Sequence, residues 1–300
     1  MKPQSLKYGD AIGIIAPSYA MTPVRLEGTV WTLEKLGFRV RFSKNLFSDA
    51  WGFAGTDTER ADDFHEMLLN PEVKAILFGG GEVGNEILPL IDWDIVRGNP
   101  KILCSYSDST TLLNAVTSRT GLVTFYGASP RTFDGLTEYN RLSFERRLMV
   151  GGTEHKKGSA WRTICGGKCA GILTGGYLVN YAVMLNGEYF KIDKNQNYIL
   201  FIEDHEKFSS PAVLSKYFAH IGQSGLMENV TGLIFGHYST NEHPQVDEIL
   251  RRFGEKYGIP VVRCEDFGHG GNNAVFPIGV GAVLDAENLH FEFTENGVIL

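Results

Sequence analysis

The run Ile102-Leu103-Cys104-Ser105-Tyr106-Ser107-Asp108-Ser109 joins an apolar, strand-length segment to a helical one through a few polar residues. A nucleophile elbow has this strand–turn–helix layout, which lifts a hydroxyl above the sheet edge. The helix N-terminus beneath it favours developing negative charge. The bland alternative is that Ser107, Asp108 or Ser109 only caps the helix. A second candidate is Glu203-Asp204-His205-Glu206, at the end of the apolar run 200–202. A carboxylate there can orient an imidazole, or it can simply face water. The cluster also holds a histidine, but its ligand types are adjacent rather than at the i, i+4 spacing that puts metal ligands on one helix face, so no metal is expected. The third candidate is His269, set among Gly268, Gly270 and Gly271 on a predicted loop, where functional residues concentrate. The other seven histidines lack such a setting: His65, His220 and His290 fall within element patterns, and His237 and His243 only flank a loop. Together the three segments offer Ser, Glu and His in that chain order, which suits nucleophilic attack on a carbonyl.

A fourth feature lies alongside. Gly79-Gly80-Gly81-Glu82-Val83-Gly84 matches G-x-G-x-x-G after a predicted strand and before a helix, as a dinucleotide fingerprint would. It follows the third strand, however, and the residue about twenty further on is Cys104, not an acidic ribose ligand. The alternatives are a structural turn, or glycine N–H groups lining an anion or oxyanion pocket.

These residues need a scaffold that brings strand ends together. Apolar runs of strand length at 11–16, 38–42, 75–78, 102–104 and 123–126 alternate with helical patterns. The pattern predicts a parallel sheet with helices on both faces, and in such sheets ligands bind at the carboxyl ends of the strands. Thr56-Asp57-Thr58-Glu59 is a capping box opening a helix. The regularity fades over 132–168, the expected domain connection. Beyond it a strand at 198–202, a helix at Ser210-Pro211, a strand at 232–236, a helix at 246–257 and several short strands predict a β-rich α+β domain. The expected division is 1–150, carrying the nucleophile, and 165–300, carrying the acid and the histidine.

Three hundred residues with a net charge of −7 and no dense basic run argue against nucleic-acid binding. No segment is long and apolar enough to predict a signal peptide or membrane span. Four cysteines without a C-x-x-C pair read as free thiols, and the protein as cytoplasmic. Glycine is the compositional outlier, 35 of 300 residues, about 12% against a usual ~7%. The clusters at Gly151-Gly152, Gly166-Gly167 and Gly175-Gly176 read as turns.

The chain resembles the serine LD-carboxypeptidase and microcin C immunity protein family over about 270 residues. The resemblance is carried in order by Leu6-Lys7-Tyr8-Gly9-Asp10, Ile14-Ile15-Ala16-Pro17-Ser18, Glu59-Arg60-Ala61, Gly80-Gly81 and Leu88-Pro89-Leu90-Ile91-Asp92. It continues through Asn99-Pro100-Lys101, Tyr106-Ser107-Asp108, Glu203-Asp204, Gly268-His269 and Pro277-Ile278-Gly279. It implies a Ser107–His269–Glu203 triad, an oxyanion hole from the N–H groups of Gly81 and Asp108, substrate contact at Gly80, no cofactor and a homodimer. The implied substrate is a small peptide or peptide-like amide: a murein tetrapeptide losing D-Ala, or an aminoacyl-sulfamoyl-adenylate of the microcin C type. The stretch 121–127 and the histidine loop look closer to the immunity branch. The alternatives are an NAD(P)-binding oxidoreductase using Gly79 to Gly84, and a non-catalytic member that binds a small ligand.

Three departures stand out. Ser105 replaces the glycine two before the nucleophile, and Tyr177 replaces an asparagine after Gly175-Gly176. No Trp lies between Gly176 and Pro211, where the immunity branch stacks a nucleobase; Tyr189 and Phe190 are weak substitutes.

Overall fold

The computed structural model describes residues 1–81 and 84–300. Strands β1 (Ala11–Ile15), β2 (Arg39–Phe42), β3 (Val73–Phe78), β4 (Ile102–Ser105) and β5 (Thr124–Tyr126) form a parallel sheet in the order β5-β4-β3-β1-β2. Helices α1 (Glu27–Lys35), α2 (Asp57–Leu69), α3 (Trp93–Gly98) and α4 (Thr110–Thr120) lie in the connections. β1 is buried along its whole length, as expected of a parallel strand covered on both faces. The capping box forms as expected: Thr56 Oγ1 accepts from the Glu59 N–H at 3.2 Å while Glu59 Oε2 accepts from the Thr56 N–H at 2.8 Å. Such a cap contributes about 1 kcal/mol to the helix.

Two short helices follow, α5 (Pro130–Phe133) and α6 (Glu138–Glu145). The second sheet has seven strands: β6 (Arg162–Cys165), β7 (Lys168–Tyr177), β8 (Tyr198–Glu203), β9 (Val230–Phe235), β10 (Val261–Arg263), and a terminal pair of 281–285 and 290–293. Strand β11 (Phe276–Ile278) leaves that sheet and pairs antiparallel with β5, Phe276 opposite Tyr126, at the edge of the first. The terminal pair, β12 (Gly281–Asp285) and β13 (His290–Phe293), completes the order β13-β12-β7-β8-β9-β10-β6. Helices α7 (Leu178–Met184), α8 (Pro211–Gln223) and α9 (Pro244–Tyr257) connect the central strands. This is the expected α/β class, with a parallel N-terminal sheet and a β-rich second half.

One expectation is overturned. Gly175 and Gly176 are not a turn but the last residues before Tyr177 in the ten-residue strand β7. A Cβ on Gly175 would sit 1.9 Å from the Phe201 carbonyl oxygen, and one on Gly176 would sit 2.4 Å from Thr110 Oγ1. The glycines let β8 and the start of α4 approach the strand directly. The four cysteines are free thiols. No helix among the described residues is long and apolar enough to cross a membrane.

Candidate active site

The carboxyl end of β4 runs into the turn that starts α4. Ser105, in place of the expected glycine, turns its hydroxyl into the sheet and donates to the Phe78 carbonyl at 2.8 Å. Ser107 follows at φ +63°, the left-handed region, which for a non-glycine residue costs on the order of 1–3 kcal/mol. Its N–H donates to the Tyr126 hydroxyl at 3.1 Å. The turn therefore carries backbone strain of the kind that gathers at functional sites.

The second half brings the partners. Ser107 Oγ lies 2.9 Å from His269 Nε2, and His269 Nδ1 lies 2.8 Å from Glu203 Oε2. Glu203 ends β8 and is fully buried. Its other oxygen, Oε1, accepts from the Tyr126 hydroxyl at 2.5 Å. The histidine loop depends on Gly268, at φ +108°, where a Cβ would meet Glu203 Cγ at 2.8 Å. The loop is held from both ends: Asn273 Nδ2 donates to the Gly268 carbonyl at 2.9 Å and Asn140 Nδ2 to the Gly271 carbonyl at 3.1 Å.

Burial pushes the His269 imidazole down, but the charge and hydrogen bond of Glu203, with Asp204 and Asp108 behind it, outweigh that and lift the ring above its ordinary value. Burial lifts the neighbouring Asp204 to about 7. Burial and the Glu203 charge raise the Tyr126 phenol well above its usual range, so it remains a donor. A hydroxyl facing an imidazole that is oriented by a buried carboxylate can lose its proton as it attacks a carbonyl.

Gly80, Gly81, Ser107, Asp108 and His269 line one cleft of about 870 Å³. The Gly81 N–H, an expected oxyanion donor, meets Ser18 Oγ at 3.0 Å, and the Ser18 hydroxyl donates onward to Asp108 Oδ2 at 3.1 Å. Arg131 and Lys207 bring positive charge to the same cleft. The Gly79–Gly84 stretch includes Glu82 and Val83, which lie outside the described residues.

Of the other histidines, His205 lines the same cleft with its ring 5.8 Å from that of His269, while others pair elsewhere. His243 Nε2 is 2.7 Å from Glu206 Oε2, His237 pairs with Glu265, and His65 accepts from the Asp92 N–H at 3.0 Å. Among the described residues no group of three or more His, Cys, Asp or Glu could hold a metal ion. Tyr177 sets its ring edge-on to His269, with centroids 4.9 Å apart. Tyr189 stacks on Trp93 and Phe190 meets Tyr181 edge-on, and neither lines the cleft.

Sequence reasoning missed Tyr126 and Ser18. Both stand at or just past the carboxyl end of a parallel strand, where the general rule for open α/β sheets directs attention to polar side chains.

A two-sheet α/β scaffold that brings a serine, a histidine and a buried glutamate into one hydrogen-bonded line has the layout of a serine hydrolase, and comparison with known proteins gives the class as a carboxypeptidase-type serine hydrolase. Residues 12–127 match the LD-carboxypeptidase N-terminal domain and residues 170–284 its C-terminal domain. The chain belongs to the LD-carboxypeptidase family. It is 31% identical to the probable murein peptide carboxypeptidase of Bacillus subtilis, over 95% of this chain and 91% of that one. It is 27% identical to the microcin C7 self-immunity protein MccF of Escherichia coli, over 97% and 94%. A solved structure of MccF in complex with glutamyl sulfamoyl guanosine superposes with a TM-score of 0.89 at 26% identity, covering 99% of each chain.

Proposed function

We propose that Ser107, His269 and Glu203 act as a catalytic triad that hydrolyses an amide in a small peptide or peptide-like substrate. The observation that carries this reading is the hydrogen-bonded line Ser107 Oγ–His269 Nε2–Nδ1–Glu203, at 2.9 and 2.8 Å. Ser107 Oγ attacks the carbonyl carbon and its proton passes to His269 Nε2. The C–N bond breaks as that proton moves to the leaving amine, and water, activated by the same imidazole, hydrolyses the acyl-enzyme. The N–H groups of Asp108 and Gly81 stabilise the oxyanion, each worth on the order of 10²–10³ in rate. For Gly81 this requires the substrate oxygen to displace Ser18 Oγ from its N–H.

The preferred substrate is a murein tetrapeptide from which D-Ala is released. The family relationship and the murein peptide carboxypeptidase relative support this, as do the Arg131 and Lys207 side chains in the cleft, which suit a substrate rich in carboxylates. The second reading, an aminoacyl-sulfamoyl-nucleotide, is favoured by the fold match to MccF bound to such a compound. We place the nucleophile on a domain of 1–150 and the Glu and His on one of 165–300, in a cytoplasmic homodimer.

A mass-spectrometric hydrolysis screen of muropeptides and aminoacyl-sulfamoyl-nucleotides tests this, with Ser107→Ala as control. The expected result is loss of a terminal residue with the wild type, and a drop on the order of 10⁶ in kcat for the variant. A fluorophosphonate that labels wild type and Ser107→Ala equally would overturn it.

A further inference from the structure

Hydrogen-bond polarity around Glu203 has a fixed origin. A backbone N–H can only donate, so the Ser107 N–H donates to the Tyr126 oxygen at 3.1 Å. The single phenolic proton of Tyr126 then goes to Glu203 Oε1 at 2.5 Å. With Oε1 accepting from Tyr126, Oε2 accepts from His269 Nδ1–H at 2.8 Å. The Nε2 lone pair of the neutral ring is left facing Ser107 Oγ at 2.9 Å. The chain of bonds leaves Ser107 by its N–H and returns to it at its hydroxyl.

We infer that Tyr126 is a positioning residue that holds the Glu203 carboxylate in place and fixes the tautomer of His269 from the nucleophile's own backbone. The inference rests on the serine-peptidase reading above. Glu203 is fully buried, so both carboxylate oxygens need a donor from the protein. Tyr126 supplies the one that His269 cannot. The same contact engages the N–H of a residue held at φ +63°, which leaves oxyanion duty to other amides. The tyrosine ring rests on Phe201, with centroids 5.6 Å apart, so Phe at 126 preserves the packing and removes only the hydroxyl.

Removing that donor leaves the buried Glu203 carboxylate one hydrogen bond short, so its charge acts more strongly on His269 and the ring holds its second proton more tightly. A ring protonated at Nε2 has no free base to offer Ser107. The other groups facing the pair are unchanged: Asp204 and His205 beyond β8, Asp108 and Tyr106 on the nucleophile turn, and Arg131 near Tyr106.

The test follows the rate of fluorophosphonate labelling against pH, which reads Ser107 activation without needing the natural substrate. Tyr126→Phe is expected to label roughly tenfold more slowly or worse at neutral pH. Its acidic limb should lie about one to two pH units above that of the wild type. A 3,5-difluorotyrosine at 126, a stronger donor of the same shape, is expected to move the limb the opposite way. Limbs that stay where the wild type has them in both variants, or rates reduced equally at every pH, would overturn the positioning role. Labelling of Ser107→Ala at the wild-type rate would instead strike the triad, and the Tyr126 role with it.

Discussion

At the scale of single residues, the site sets its own working pH. Burial alone would keep His269 neutral to low pH; the carboxylates of Glu203, Asp204 and Asp108 more than reverse that. The base form is therefore lost at a higher pH than for an ordinary histidine. On the acidic side, kcat/KM for the preferred peptide should fall to half at a pH above about 6.5, rising to a plateau as the ring deprotonates. A pH–rate profile with its acidic midpoint below that value would contradict the arrangement of charges described here. Ser105 shows how a departure from a family pattern can be absorbed locally. It stands where glycine is expected two before the nucleophile, and its hydroxyl is taken up by the Phe78 carbonyl, which leaves the turn intact.

At the scale of elements, the histidine loop is anchored from beneath by Asp266, which is fully buried. Its carboxylate accepts from His155 Nε2 at 2.8 Å, Trp161 Nε1 at 2.9 Å, the Gly158 N–H at 3.1 Å and Ser159 Oγ at 2.5 Å. It thereby ties the segment 155–161 to the strand-end loop three residues before His269. Burial pushes this carboxyl up, but the hydrogen bonds from His155 and Ser159 prevail and hold it below its ordinary value. A depressed carboxylate contributes stability that is present above the unfolded value of 3.8 and is lost as pH falls through the lower native one. Asp266→Ala leaves four donors without their acceptor and should destabilise the protein by about 3 kcal/mol at pH 7. Urea midpoints of variant and wild type should converge as pH drops below about 4; a gap that stays constant down to pH 2 would count against the clamp.

The elements also show what a sequence can reveal. The α2 cap was legible because Thr56 and Glu59 are three residues apart and answer only to each other. The nucleophile turn was legible as a strand–helix junction for the same local reason. Strand β7 was not: its glycines, read as a turn, serve close approach to β8 and α4, from parts of the chain no local pattern reports. Tyr126 was illegible for a related reason. Its partners are 19 and 77 residues away, and nothing about a tyrosine at a strand end says that both will arrive. Once the Ser, Glu and His segments had been singled out, the structure brought them together; the residue joining the first two needed the fold itself.

At the scale of the whole molecule, the two halves are interlocked rather than merely adjacent. β11 departs from the second half to close the edge of the first sheet beside β5, placing Phe276 opposite Tyr126. β5 has three residues and only β4 on its other side, so without β11 the strand carrying Tyr126 would be a short, exposed edge. Asn114 in α4 reinforces the junction by donating to the Gly175 carbonyl at 2.8 Å, and apolar residues of both sheets share one core cluster. A fragment of residues 1–150 would expose Phe125, which is fully buried in the intact chain, and would lack the antiparallel partner of its edge. Short edges with uncovered apolar faces are poorly stable and prone to pair with other chains. The fragment should therefore bind ANS and lack a cooperative thermal transition, while the full chain should lose helix signal and fluorophosphonate reactivity together in one transition. A fragment 1–150 that melted cooperatively without ANS binding would show that the strand exchange is dispensable, and with it the idea that the nucleophile's half is folded by the half that supplies its base.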